Sequence, residues 1–131
     1  MRHLLTILFL LLAPPLAAQD EDIQAVIESQ MRAFQAGDSA AAFEHASPLI
    51  KQIFGNSRNF GMMVRQGYPM VWNNAETRFL DLREIDGELW QKLQVRDAAG
   101  GLYLMDYRMV QTESGWQIDG VVLLPAPQLG V

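Results

Sequence analysis

The sequence predicts an α+β domain in which N-terminal helices pack on one face of a curved, four-stranded antiparallel meander. Two observations point there. Apolar residues recur at helical spacing from Ile23 to Gly67, and from Glu76 onward they alternate. Three turn signals, Asp86-Gly87, Ala98-Ala99-Gly100-Gly101 and Ser114-Gly115, then divide the second half into four strands. Helices followed by a run of hairpin-linked strands segregate onto one side of a sheet.

Each element has its own signature. Residues 1–18 come first, with Met-Arg-His, an apolar run from Leu4 to Leu12, two prolines, and Ala17-Ala18 at the exit. A basic start, a short apolar stretch and a small-residue end read as a secretory signal peptide cut after Ala18. The run is too short for a bilayer span, which needs roughly 20 apolar residues. A first helix then carries Ile23, Val26, Ile27, Met31 and Phe34, capped by Asp20 or Asp22 and stopped at Gly37. Asp38 caps a second, Ala-rich helix. Ser47-Pro48 starts a third with Leu49, Ile50, Ile53 and Phe54, ending at Gly55. A fourth runs from about Asn59 to Gln66 despite Gly61, and Tyr68-Pro69 reads as an extended dipeptide. The strands are Glu76 to Ile85, Glu88 to Asp97, Leu102 to Gln111 and Trp116 to Leu124, with Pro125 and Pro127 ending regular structure.

Residues 19–131 form one domain-sized chain. Losing Arg2 leaves nine basic residues against 15 acidic, a formal charge of −6 against −5 for the whole chain. That acidity argues against nucleic acid and anionic lipid surfaces as partners. No cysteine is present, so there is no disulfide, no thiol nucleophile, and no lipid anchor once the signal is cut. The expected location is periplasmic or secreted, in a bacterium.

Beyond composition, the chain becomes familiar. Ile23 to Ala36, Gly37-Asp38, Ala42-Phe43, Ala46-Ser47-Pro48, Ile53-Phe54, Phe60, Met63-Val64 and Gly67-Tyr68-Pro69 resemble the bacterial family of domain of unknown function 4864. So does the ending, with Tyr107-x-Met109 followed by Gly115-Trp116-Gln117-Ile118-x-Gly120-Val121. The resemblance implies a nuclear transport factor 2-like cone, a bent sheet wrapped around helices with a pocket inside. It implies no catalytic motif.

Strand register decides which side chains enter that cone. Pairing the first hairpin about Asp86-Gly87 sets Leu80 opposite Leu93 and Leu82 opposite Gln91 on one face. The other face then holds an Asp81–Lys92 salt pair and an Arg83–Trp90 cation–π contact. A four-residue second turn would place Asp106 opposite Leu93 and Arg108 opposite Gln91, making Gln91, Asp106 and Arg108 a polar cluster inside. Shifted by one residue, the inner face becomes Tyr103, Met105, Tyr107 and Met109, beside Trp116 and Ile118. Both phases stay open, and the ligand-pocket candidates are Gln91, Asp106, Tyr107, Arg108, Met109 and Trp116.

Other chemistry has little to work with. His45, near the end of the second helix, reads as a surface or hydrogen-bonded histidine favoured as a cation by the helix dipole. The methionines lack the clustering that three soft copper ligands need, and no metal site or cofactor is expected. The preferred reading is an exported, non-catalytic small-ligand-binding or protein-interaction module, its ligand apolar or amphipathic. A second is a cofactor-free isomerase or dehydratase-type enzyme with Asp106 as base and a tyrosine as donor. A third is a structural homodimer paired through the sheet, its cone filled by side chains.

Overall fold

The computed structural model describes residues 16–125. Most of the expected signal segment, and Pro127, lie outside the described residues. Five helices precede four strands: α1 (Leu16–Gln35), α2 (Ser39–Glu44), α3 (Pro48–Phe54), α4 (Ser57–Gly67), α5 (Pro69–Trp72), β1 (Asn74–Ile85), β2 (Glu88–Asp97), β3 (Leu102–Thr112) and β4 (Gly115–Leu124). The strands form one open antiparallel sheet in the order β1-β2-β3-β4.

Side-chain caps set the helix starts. Asp38 Oδ1 accepts from Ala41 N at 3.0 Å, and Ser47 Oγ accepts from Ile50 N at 3.2 Å ahead of Pro48. α4 begins two residues before Asn59 because Asn56 Oδ1 accepts from Asn59 N at 2.8 Å. Neither Asp20 nor Asp22 caps α1, which runs through both from Leu16. Asp20 instead accepts from Gln24 Nε2 one turn later, at 3.1 Å.

Tyr68-Pro69 is not an extended dipeptide either. Pro69 opens the one-turn α5, where its fixed φ suits the first helical position and the turn buries Met70 and Val71. Gly61 has a packing reason. A β-carbon there would lie 2.9 Å from Ser39 Cβ and collide with Ser39 Oγ, so α2 and α4 approach closely only because the site is glycine.

The sheet corrects the expected registers. Asp86 (φ 52°) and Gly87 (φ 80°) close the two-residue turn, pairing Leu82 with Gln91 and Arg83 with Trp90 as read from the sequence. A β-bulge then intervenes. Phe79, not Leu80, faces Leu93, while Leu80 and Asp81 together oppose Lys92. No Asp81–Lys92 ion pair forms among the described residues.

The second turn is shorter than four residues. Asp97 N donates to Gly101 O at 3.0 Å, leaving Ala98, Ala99 and Gly100 as a three-residue loop with Gly100 at φ 88°. Losing one residue from the turn shifts β3 by one position. Asp106 therefore pairs with Lys92, Tyr107 with Gln91 and Arg108 with Trp90. Asp106 and Arg108 lie on the face away from the helices, so the inward Gln91–Asp106–Arg108 cluster does not form. The other phase holds.

The core sits between α1 and the sheet. Ile23, Ile27, Met31 and Phe34 on one side meet Leu93, Val95, Met105, Tyr107, Met109 and Ile118 on the other, none more than 4% exposed. Trp116 is only half-buried at the β3–β4 hairpin end, opposite Gln111. Tyr107, 1% exposed, is the largest fully buried side chain instead.

Candidate functional site

An apolar cavity of about 250 Å³ opens between the helices and the inner face of the sheet. β3 and β4 contribute Tyr107, Ile118 and Val121, and α1 contributes Gln30 and Phe34. Phe60 and Val64 of α4 close the far side, and α3 covers it with Ile50 and Phe54. α3 buries none of its residues completely, so it roofs the cavity without belonging to the core. Phe60 joins the lining, its ring centroid 6.1 Å from Phe34 and 5.9 Å from Phe54.

The roof is anchored at its start. Ala46 and Ile118 form a short parallel bridge, with Ser47 N donating to Ile118 O and Ile118 N to His45 O, each at 2.8 Å. Asp119 is the extra residue of a bulge in β4. Its Oδ1 accepts from Ser47 Oγ at 2.7 Å, and its Oδ2 lies 3.2 Å from Arg108 Nε. A single carboxylate thus ties the N-cap of α3 to β3.

None of the residues that line the cavity carries a side chain charged at neutral pH. Its polar groups are few. Gln30 Nε2 donates to Ala42 O at 3.1 Å, which leaves Oε1 as an acceptor. Tyr68 Oη donates to Val121 O at 3.2 Å. Tyr107 is pushed above the usual phenol range by burial, and Tyr68 adds to the effect. The phenol stays neutral and available as a hydrogen-bond donor.

The six residues singled out from the sequence scatter. Tyr107 alone of them lines this cavity. Met109, Arg108 and Trp116 border an open recess at the hairpin end of the sheet. Gln91 is buried on the inner face, its Nε2 donating to Leu80 O at 2.9 Å and to Lys92 O at 2.8 Å, so it pins the β1 bulge. Its Oε1 has no partner among the described residues.

Asp106 is held from outside. Arg83 grips it with two hydrogen bonds, Nη1 to Oδ1 at 2.8 Å and Nη2 to Oδ2 at 2.7 Å. Arg83 therefore does not stack on Trp90; Arg108 does, at 5.8 Å from the ring centroid. A carboxylate turned away from the cavity and paired with a guanidinium cannot act as a base inside it.

Missed in the sequence were the helical contributors Gln30, Phe34, Ile50, Phe54, Phe60 and Val64. Their spacing marks an inward face, but inward faces look alike whether they meet a side chain or a void.

His45 differs from the expectation of a dipole-favoured cation. It is half-buried, and desolvation lowers its pKa below 6.5, outweighing Glu44, while Lys51 lowers it further. A histidine with a depressed native pKa binds fewer protons folded than unfolded. Its contribution to stability is present above about pH 6.5 and is lost as pH falls to the native value. The His45 imidazole should titrate by NMR with a midpoint below 6.5; a midpoint at or above it would show that the helix end outweighs burial.

The family described as Domain of unknown function (DUF4864) matches residues 16–131. No curated protein matches the chain.

Proposed function

Because the chain belongs to the DUF4864 family, an assignment that names no reaction, we propose its function from the cavity: an exported, non-catalytic module that binds a small uncharged apolar or amphipathic molecule. In this reading the sheet and helices form a nuclear transport factor 2-like cone with the ligand inside. The observation that carries the proposal is a 250 Å³ cavity without a charged lining residue and with the neutral Tyr107 phenol in its wall. Binding sites of this kind are apolar with a few placed polar groups. An apolar cavity of about 150 Å³ takes up benzene, so this one suits a substituted ring or a branched chain of similar bulk. A charged ligand would be desolvated there without a partner. Export is compatible with the core, since Ile23 is the first fully buried residue among those described and lies beyond the proposed cut after Ala18.

The test is NMR titration with benzyl alcohol and, in parallel, benzoate. Benzyl alcohol should shift amides at Tyr107, Ile118 and Val121, and benzoate should bind at least about tenfold more weakly at neutral pH, a cost of ~1.4 kcal/mol. Shifts confined to the outer sheet face, or equal binding of the two probes, would refute the proposal.

A second reading, a homodimer through the sheet, is favoured by one observation. The outer face exposes Leu102 at 50% and Val122 at 45% beside half-buried Trp90 and Leu104. Sedimentation equilibrium giving the monomer mass would dismiss it.

A further inference from the structure

We propose that the outer surface of α3 and α4 docks on an anionic lipid bilayer. Between Glu44 and Glu76 the chain has no acidic residue, yet it carries Lys51, Arg58 and Arg65. This happens in a protein of net charge −5, so the acids are segregated into the remainder of the molecule. The same stretch exposes three large aliphatic side chains: Leu49 at 49%, Ile53 at 62% and Met62 at 49%.

The placement is orderly. Leu49 and Ile53 lie one turn apart on α3. Arg58, Met62 and Arg65 recur at helical spacing on α4, and all three are exposed. Ile50, Phe54 and Phe60 of the same helices line the cavity, and Leu49, Ile53, Arg58, Met62 and Arg65 are exposed to solvent beside and behind them. Among the described residues neither Arg58 nor Arg65 is in an ion pair. Arg65 lies over the Trp72 ring at 5.3 Å, which leaves its charge available.

The chemistry selects a bilayer over other occupants. A second copy docked face to face would set Arg58 and Arg65 against the same two arginines, whereas Lys51 turns to the other side of α3 and donates to Glu44 O at 3.2 Å. Nucleic acid is met by stacking aromatics in basic grooves, and here the exposed side chains are aliphatic. Protein hot spots combine Arg with Trp and Tyr, whereas the arginines here stand beside exposed Leu49, Ile53 and Met62 and no exposed Trp or Tyr. Aliphatic side chains beside Arg58 and Arg65 suit the boundary between lipid headgroup and acyl chain, where the guanidinium groups meet phosphate. The acidity of the whole chain argues against anionic lipid surfaces, but the acids lie outside residues 45–75, and screening over about 10 Å lets the docked face dominate.

The full chain is tested against vesicles of equal parts phosphatidylglycerol and phosphatidylcholine, and against pure phosphatidylcholine, by flotation and hydrogen exchange. Binding should be selective for the anionic vesicles, weaken as salt is raised, and protect amides of α3 and α4. Ile53→Asp, and separately Arg58→Glu with Arg65→Glu, should each lower the bound fraction about tenfold or more. These sites are exposed, so thermal midpoints should match the parent protein. Were the apolar run at residues 4–12 to carry the binding instead, both vesicle types would bind and protection would fall on its own peptides, which keeps that outcome distinguishable. Three results would overturn the proposal: equal binding to both vesicles, protection confined to the N-terminal segment, or self-association that Ile53→Asp abolishes.

Discussion

Tyr107→Ala should destabilise the protein by on the order of 3–5 kcal/mol, the range for deleting a buried aromatic body. Tyr107 is 1% exposed, pairs with Gln91 in mid-sheet and walls the cavity. Its removal enlarges a void that the neighbouring sheet cannot collapse into, so the cost should lie toward the upper end. Tyr107→Phe separates packing from polarity. It should cost about 1 kcal/mol or less, since only a hydroxyl is lost. It should weaken benzyl alcohol binding while leaving toluene binding unchanged. Urea unfolding of both variants is the measurement. A cost for Tyr107→Ala below about 1 kcal/mol would mean that β3 is out of phase by one residue.

Arg83→Ala should be the most damaging change on the outer face, costing about 3 kcal/mol. The Asp106 side chain is 9% exposed and both its oxygens are satisfied by Arg83, so deleting the cation strands a desolvated carboxylate. The value sits at the low end for buried pairs because the Arg83 side chain is 29% exposed and partly screened. The double variant Arg83→Met with Asp106→Leu should recover most of the loss, since two apolar groups leave nothing unpaired. Additive single and double costs in that cycle would show that the pair is not coupled. An Arg83→Ala protein within about 0.5 kcal/mol of the parent would contradict the bidentate geometry.

Local chemistry alone determined much of this protein. Asp38 and Ser47-Pro48 start helices because a short side-chain oxygen can reach a free N–H three residues on, whatever the rest of the chain does. Asp86-Gly87 makes its turn because both positions need positive φ. The period change after Gly67 determined the α+β order. What tertiary structure decided begins where two segments must agree. Gly100 was legible as a turn residue, but whether it closed three residues or four depended on Asp97 pairing with Gly101, and that one residue chose between Asp106 and Tyr107 for the interior. The β1 bulge likewise depends on Gln91 reaching Leu80 O across the ladder. Helical spacing marked Phe34, Phe60 and Val64 as inward without saying that α3 would roof a void above them. An apolar face is written in one segment, whereas a cavity is the volume left after several have packed.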